Sequence, residues 1–224
     1  MTETSSPQLR YAVRLQTGAL MVALISAGAF ISVPIPGSPV PIVLQNMFVV
    51  LTGVLLPAGW AALSVGVYLI LGAVGLPVFA GATGGLAHLA GPTGGFLIGF
   101  PIAAAVVAVI LRDRRVKRGG NPLSTPGGGG AQQAAARRDG QHQAGIASVA
   151  SGSHSVFRHA IALVVGFLVI YATGVPWLAL TADLTPAQAV VVGMLPFLPG
   201  DIMKTAVLLL LIRSVPRSIW QMLN

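Results

Sequence analysis

The sequence predicts an all-α membrane protein of six transmembrane helices with both termini on the cytoplasmic side. Three observations carry that prediction. The chain of 224 residues is 54% hydrophobic and only 8% charged, more apolar than a soluble domain of this length. Its apolar runs are each close to the ~20 residues that cross a bilayer. Its basic residues stand at the ends of those runs or in one polar loop, with a single exception inside a run, Lys204.

The runs come in order. The first spans about Thr17 to Val33, the second about Val40 to Leu56, and the third about Gly59 to Leu76. The fourth spans about Gly94 to Leu111, and the fifth about His159 to Val175. The sixth ends at Leu211 or Ile212. In a bilayer core without water each run must satisfy its own backbone, so each is expected to be a helix. Ala27 and Ala29 around Gly28 resemble a signal cleavage site, but the first run is long for a signal peptide.

Six crossings leave both termini on one side. Arg10 and Arg14 precede the first run, and Arg213 and Arg217 follow the last. The loop between runs four and five lies on that same side and holds most other cations. Segments 34–39, 77–93 and 176–185, on the opposite side, contain no Lys or Arg. The positive-inside rule then makes the charged side cytoplasmic, as for a multi-pass membrane protein. The net charge of +8 is explained by this topology, and nucleic acid is not expected as a partner.

The chain 1–224 reads as one transmembrane domain with a cytoplasmic loop at 113–157. Within that loop, 119–154 is rich in Gly, Ala, Gln, Arg and Ser and poor in large apolar residues, so it is expected to be largely disordered. Arg112, Arg114, Arg115, Lys117 and Arg118 form a topology anchor beside lipid headgroups. The run Gly127–Gly130 is no phosphate loop, because no Lys-Ser or Lys-Thr follows it. There is no cysteine, and the four histidines show no metal-ligand spacing.

Chemistry is expected in four places. Pro196 and Pro199 break the helix before the last run. That predicts a short helical piece over 186–195 and a last helix starting near Pro199. Asp201 then falls in its first turn, where the helix dipole favours a carboxylate. Lys204 lies three residues on, on the same face. A cation at membrane depth costs roughly 2.5 kcal/mol or more unless paired, so the pair points to a polar ligand site. The prolines of 34–41 predict a stiff extended loop, leading to Gln45 and Asn46, adjacent amides that point about 100° apart. The glycine-dense stretch 81–95 includes Thr93, and Tyr68 and Trp177 are aromatic candidates. Ala19, Ala23 and Ala27 make one face of the first helix small, suited to close packing within the bundle or to a partner.

Assembled, these residues resemble the BioY family, the biotin-specific substrate-binding (S) subunits of energy-coupling-factor transporters. The resemblance rests on Gly37-Ser38-Pro39-Val40-Pro41 with Leu44-Gln45, on Gly75-Leu76-Pro77-Val78-Phe79-Ala80-Gly81, on the segment from Gly91-Pro92-Thr93-Gly94-Gly95 to Phe100, and on Pro196-Phe197 through Gly200-Asp201 and Lys204. It implies an S-component-like bundle with biotin as transported ligand and no cofactor. Asp201 would accept from the ureido head, and Lys204 would hold the carboxylate. Gln45, Asn46, Tyr68 or Thr93 would supply the remaining contacts. It also implies a transmembrane coupling subunit docked on Ala19, Ala23 and Ala27, and two ATP-binding-cassette ATPases, since this chain has no nucleotide motif. An S subunit for a different vitamin is the alternative, because only the motifs argue for biotin. An intramembrane enzyme would need a nucleophile–base pair or metal cluster at membrane depth, which the runs do not offer.

Overall fold

The computed structural model describes residues 7–112 and 130–214, with the backbone alone over 130–155. Arg114, Arg115, Lys117, Arg118 and Arg217 lie outside the described residues. Helix α1 runs Pro7–Phe30 and gives way to extended chain where β-branched residues precede Pro34, whose ring disfavours helix at Val33. Strands β1 (Ser32–Val33) and β2 (Ile42–Val43) pair antiparallel, Ser32 opposite Val43 and Val33 opposite Ile42. The proline-rich loop between them reverses near Gly37, whose φ of +80° is cheap only for glycine.

Helix α2 (Gln45–Leu55) stops where Leu56 turns extended before Pro57, and α3 (Ala58–Ala73) follows at once. A short α4 (Leu86–Ala90) leads to α5 (Gly94–Arg112). Helix α6 runs Gly130–Thr181 and α7 Pro186–Gly193. A 3-10 turn over Leu195–Phe197 precedes α8 (Leu198–Ser214), as the two prolines led one to expect.

Four stretches are long and apolar enough to cross a membrane: Pro7–Phe30, Gly94–Arg112, Val156–Thr181 and Pro186–Ser214. Helices α2 and α3 are apolar but shorter, at 11 and 16 residues. The second expected run is shortened because Val40 to Leu44 belong to the hairpin and its exit rather than to helix.

One expectation is corrected. The fifth run was expected to end near Val175; the helix instead continues through Pro176 to Thr181. An interior proline loses one hydrogen bond and crowds the carbonyl four residues back, a local cost, and just beyond it Trp177 Nε1 ties the helix to the Gly91 carbonyl at 2.9 Å. The described part of 119–154, from Gly130 onward, is backbone helix continuous with α6.

Helix α5 is central, packing against α6, α2 and α3, while α1 covers α2 and α3. Glycines allow the close approaches. A Cβ at Gly99 would overlap Thr173 Oγ1, and one at Gly53 would overlap the Ala104 carbonyl. The spacing Gly95-x-x-x-Gly99 therefore serves α5–α6 contact. Arg158 on α6 closes the far end, donating to the Ile110 carbonyl at 2.9 Å, one of the acceptors a helix C-terminus leaves open.

Candidate ligand-binding site

Only three residues of α8 are buried, Asp201, Lys204 and Leu208, the i, i+3, i+7 stripe of one helix face. Asp201 is 5% exposed and Lys204 8%. They form an ion pair, Nζ to Oδ1, at 3.0 Å. An ammonium has three protons to place. Lys204 gives the other two to the Val43 carbonyl and to Asn46 Oδ1, each at 2.8 Å. Asn46 Nδ2 donates in turn to Asp201 Oδ1 at 3.2 Å. The second carboxylate oxygen accepts from the Tyr171 hydroxyl in a short bond.

The result is a closed polar ring with no net charge. Each member is explained by local structure. Asp201 sits in the first turn of α8, where free N–H groups favour a carboxylate. Asn46 is the second residue of α2, just after the hairpin. Val43 offers its carbonyl from β2. Tyr171 reaches in from α6, near the middle of its apolar stretch Val156–Thr181.

A cavity of about 50 Å³ adjoins the ring. Its walls are Val40, Pro41 and Val43 of the hairpin, Phe96 and Phe100 of α5, Ile170 of α6, and Gly193 and Phe197 before α8. Its two polar lining residues are Asn46 and Tyr171. Asp201 and Lys204 stand behind them. This volume suits a few waters, so anything larger requires the walls to part.

The structure brings three of the six expected ligand residues together: Asp201, Lys204 and Asn46. It places the other three elsewhere. Gln45 points away from Asn46, as adjacent helix positions do, and donates to Tyr68 Oη at 2.7 Å. Tyr68 donates to the Val78 carbonyl at 3.1 Å. Both side chains are almost fully buried, and neither lines the cavity. Thr93 Oγ1 lies 3.2 Å from His88 Nε2.

His88 stacks on Phe79, with ring centroids 5.3 Å apart. Thr83 Oγ1 spends its proton on the Ala80 carbonyl at 2.9 Å, so it accepts from His88 Nδ1 at 3.1 Å. Partial burial pushes the imidazole below its ordinary pKa. Among the described residues no group of acidic, histidine or cysteine side chains could hold a metal.

Sequence reasoning missed Tyr171. The expected fifth run ended near Val175, which put Tyr171 close to its end, where tyrosines gather; only the continuation to Thr181 sets it at mid-span. It missed the Val43 carbonyl too, and no side-chain pattern announces a backbone acceptor.

Fold and site together define a helical membrane protein with an apolar cavity closed against a buried polar ring. The chain belongs to the BioY family, whose family model matches residues 3–221. It is 38% identical over 188 residues to the probable biotin transporter BioY of Pyrococcus horikoshii, covering 84% of this chain and 86% of that protein. It is 35% identical over 198 residues to the biotin transporter BioY of Rhizobium etli, covering 88% and 89%. The crystal structure of the S-component for biotin from an ECF-type ABC transporter matches with a TM-score of 0.70. That match covers 95% of this chain and 96% of that one at 25% identity.

Proposed function

We propose that this chain is the biotin-binding S subunit of an energy-coupling-factor importer in a prokaryotic plasma membrane. It binds and passes on its ligand and is not an enzyme. The observation that carries the reading is the ring of Asn46, Tyr171, Asp201 and Lys204 behind an apolar, aromatic cavity, in a chain of the BioY family.

Biotin has an apolar ring and tail, a ureido head and a carboxylate. Phe96, Phe100, Ile170 and Phe197 suit the apolar parts. Asn46 and Tyr171 stand where a polar end would arrive. One polar end meets the ring: Asp201 can accept ureido N–H bonds, or Lys204 can redirect a proton from the Val43 carbonyl to a carboxylate, since the ligand is too long for a pair 3.0 Å apart to grip both ends. Ligand entry then exchanges bonds within a satisfied ring. Neither charge has to wait unpaired, which would be costly at this depth. The ring is preorganised, so the rearrangement left for binding lies in the cavity walls, which part to admit a ligand larger than a few waters. Gln45 and Tyr68 are supports of the fold in this reading, and Thr93 holds His88.

The chain crosses the membrane six times, with α2 and α3 as short crossings and both termini cytoplasmic, a reading that rests on the cation distribution. Ala19, Ala23 and Ala27 are exposed while Gly18, Met21, Ile25 and Gly28 of the same helix are buried. That small exposed face suits a transmembrane coupling subunit, with two ATP-binding-cassette ATPases supplying the energy.

Equilibrium binding of labelled biotin to the purified protein tests the reading. Saturable binding displaced by unlabelled biotin, and left in place by riboflavin or thiamine, is the expected result. Binding that is absent, or displaced equally by the other vitamins, would remove it.

A further inference from the structure

The motif around Ser38 has no part in the ring, yet its hydroxyl joins two walls of the cavity. Ser38 Oγ lies 2.8 Å from the Val192 carbonyl, a partner 154 positions away. It also accepts from its own loop, from Val40 N at 3.1 Å, the local turn that a serine favours. A hydroxyl has one proton. The Val40 carbonyl, at 3.1 Å, is the more distant acceptor for it, so the Val192 carbonyl takes the better bond.

Val192 is followed by Gly193, which lines the cavity opposite Val40, Pro41 and Val43. Among the described residues, two side-chain bonds therefore link the hairpin to the segment from α7 to α8. Lys204 holds its root through the Val43 carbonyl at 2.8 Å. Ser38 holds its tip. The tip is also where Gly37 takes a left-handed conformation. If Lys204 turns from Val43 to a ligand carboxylate, the root bond is given up and the tip bond remains.

We infer that Ser38 is a positioning residue for the bound ligand: its bond to the Val192 carbonyl keeps the Val40–Pro41–Val43 wall against the cavity and sets how slowly ligand leaves. This rests on the proposed biotin-binding role and adds a residue to it. The hydroxyl need not touch the ligand. It acts on the wall that does.

The test is release of labelled biotin from the preloaded full-length protein after a chase with excess unlabelled biotin. Ser38→Ala is expected to release about three- to tenfold faster, the worth of one neutral hydrogen bond. Ser38→Thr, which keeps the hydroxyl, is expected to restore the slow rate. The melting temperature of the ligand-free protein separates this from general destabilisation, since a purely structural role would lower it without changing the release rate. An unchanged rate in Ser38→Ala, or a fast rate that threonine does not restore, overturns the inference. If the wild-type protein binds no biotin, the proposed function fails instead. Should Ser38→Ala not fold, Ser38→Cys with Val192→Cys serves in its place, because the chain has no other cysteine. Bridging the two thiols after loading is expected to stop release, and unbridging to resume it. Release at the same rate in both states overturns the inference.

Discussion

Gln45 and Asn46 are neighbours on α2, and they lead into two different polar networks. Asn46 joins Asp201, Lys204 and Tyr171 in a charged ring beside the cavity. Gln45 joins Tyr68 and the Val78 carbonyl in a neutral chain away from it. Both are buried, and both satisfy their members. They differ in what surrounds them. The neutral chain is packed on all sides, with Phe79 edge-on to Tyr68 at 5.7 Å. The charged ring has a cavity on one side and offers Lys204 three acceptors. Satisfied neutral groups hold a fold; satisfied charges next to a cavity can change partners.

Breaking the charged ring should give the largest effect. Lys204→Ala leaves the Asp201 carboxylate buried without its cation, which costs about 3–5 kcal/mol. A large drop in melting temperature in detergent is expected, and Asp201→Asn added to it should recover much of the loss. Next in size is Tyr171→Phe, which removes a hydrogen bond to a charged group worth about 1.5–3 kcal/mol. Biotin affinity should fall roughly ten- to hundredfold in equilibrium binding.

The neutral chain should answer differently. Tyr68→Phe strips the Gln45 amide and the Val78 carbonyl of a partner, costing about 1–3 kcal/mol of stability. Its biotin affinity should stay within about twofold of wild type, and a larger loss would erase the distinction between the networks.

The smallest effect concerns His88, at the far end of the Tyr68–Phe79 packing. Burial holds its imidazole below its ordinary pKa. The unfolded chain therefore binds the proton more readily, and stability rises with pH through that window. The contribution is complete above about pH 6.5 and fades as pH falls from there toward the lower folded value. Melting temperatures at pH 7.5 and pH 5.5 should differ by more in wild type than in His88→Asn.

Much of this was legible in the sequence. Apolar runs and cation placement pointed to a membrane bundle. The spacing of Asp201 and Lys204 put both on one face of a helix whose start the two prolines marked. The angle between Gln45 and Asn46 foretold their parting. What each would meet was not legible, because it depends on contacts between distant elements. Tyr171 reaches Asp201 only because α6 packs against α8, elements far apart in the chain. The Val43 carbonyl matters only because Pro34 and the hairpin pull residues 40–44 out of the second helix.

The central claim is that the Asp201–Lys204 ring, and not the Gln45–Tyr68 chain, grips biotin. One set of titrations decides it: labelled biotin against wild type, Asp201→Asn and Tyr68→Phe, each confirmed folded by its melting curve. The account predicts that Asp201→Asn loses most of its affinity while Tyr68→Phe binds as wild type does. Wild-type affinity in folded Asp201→Asn would contradict it.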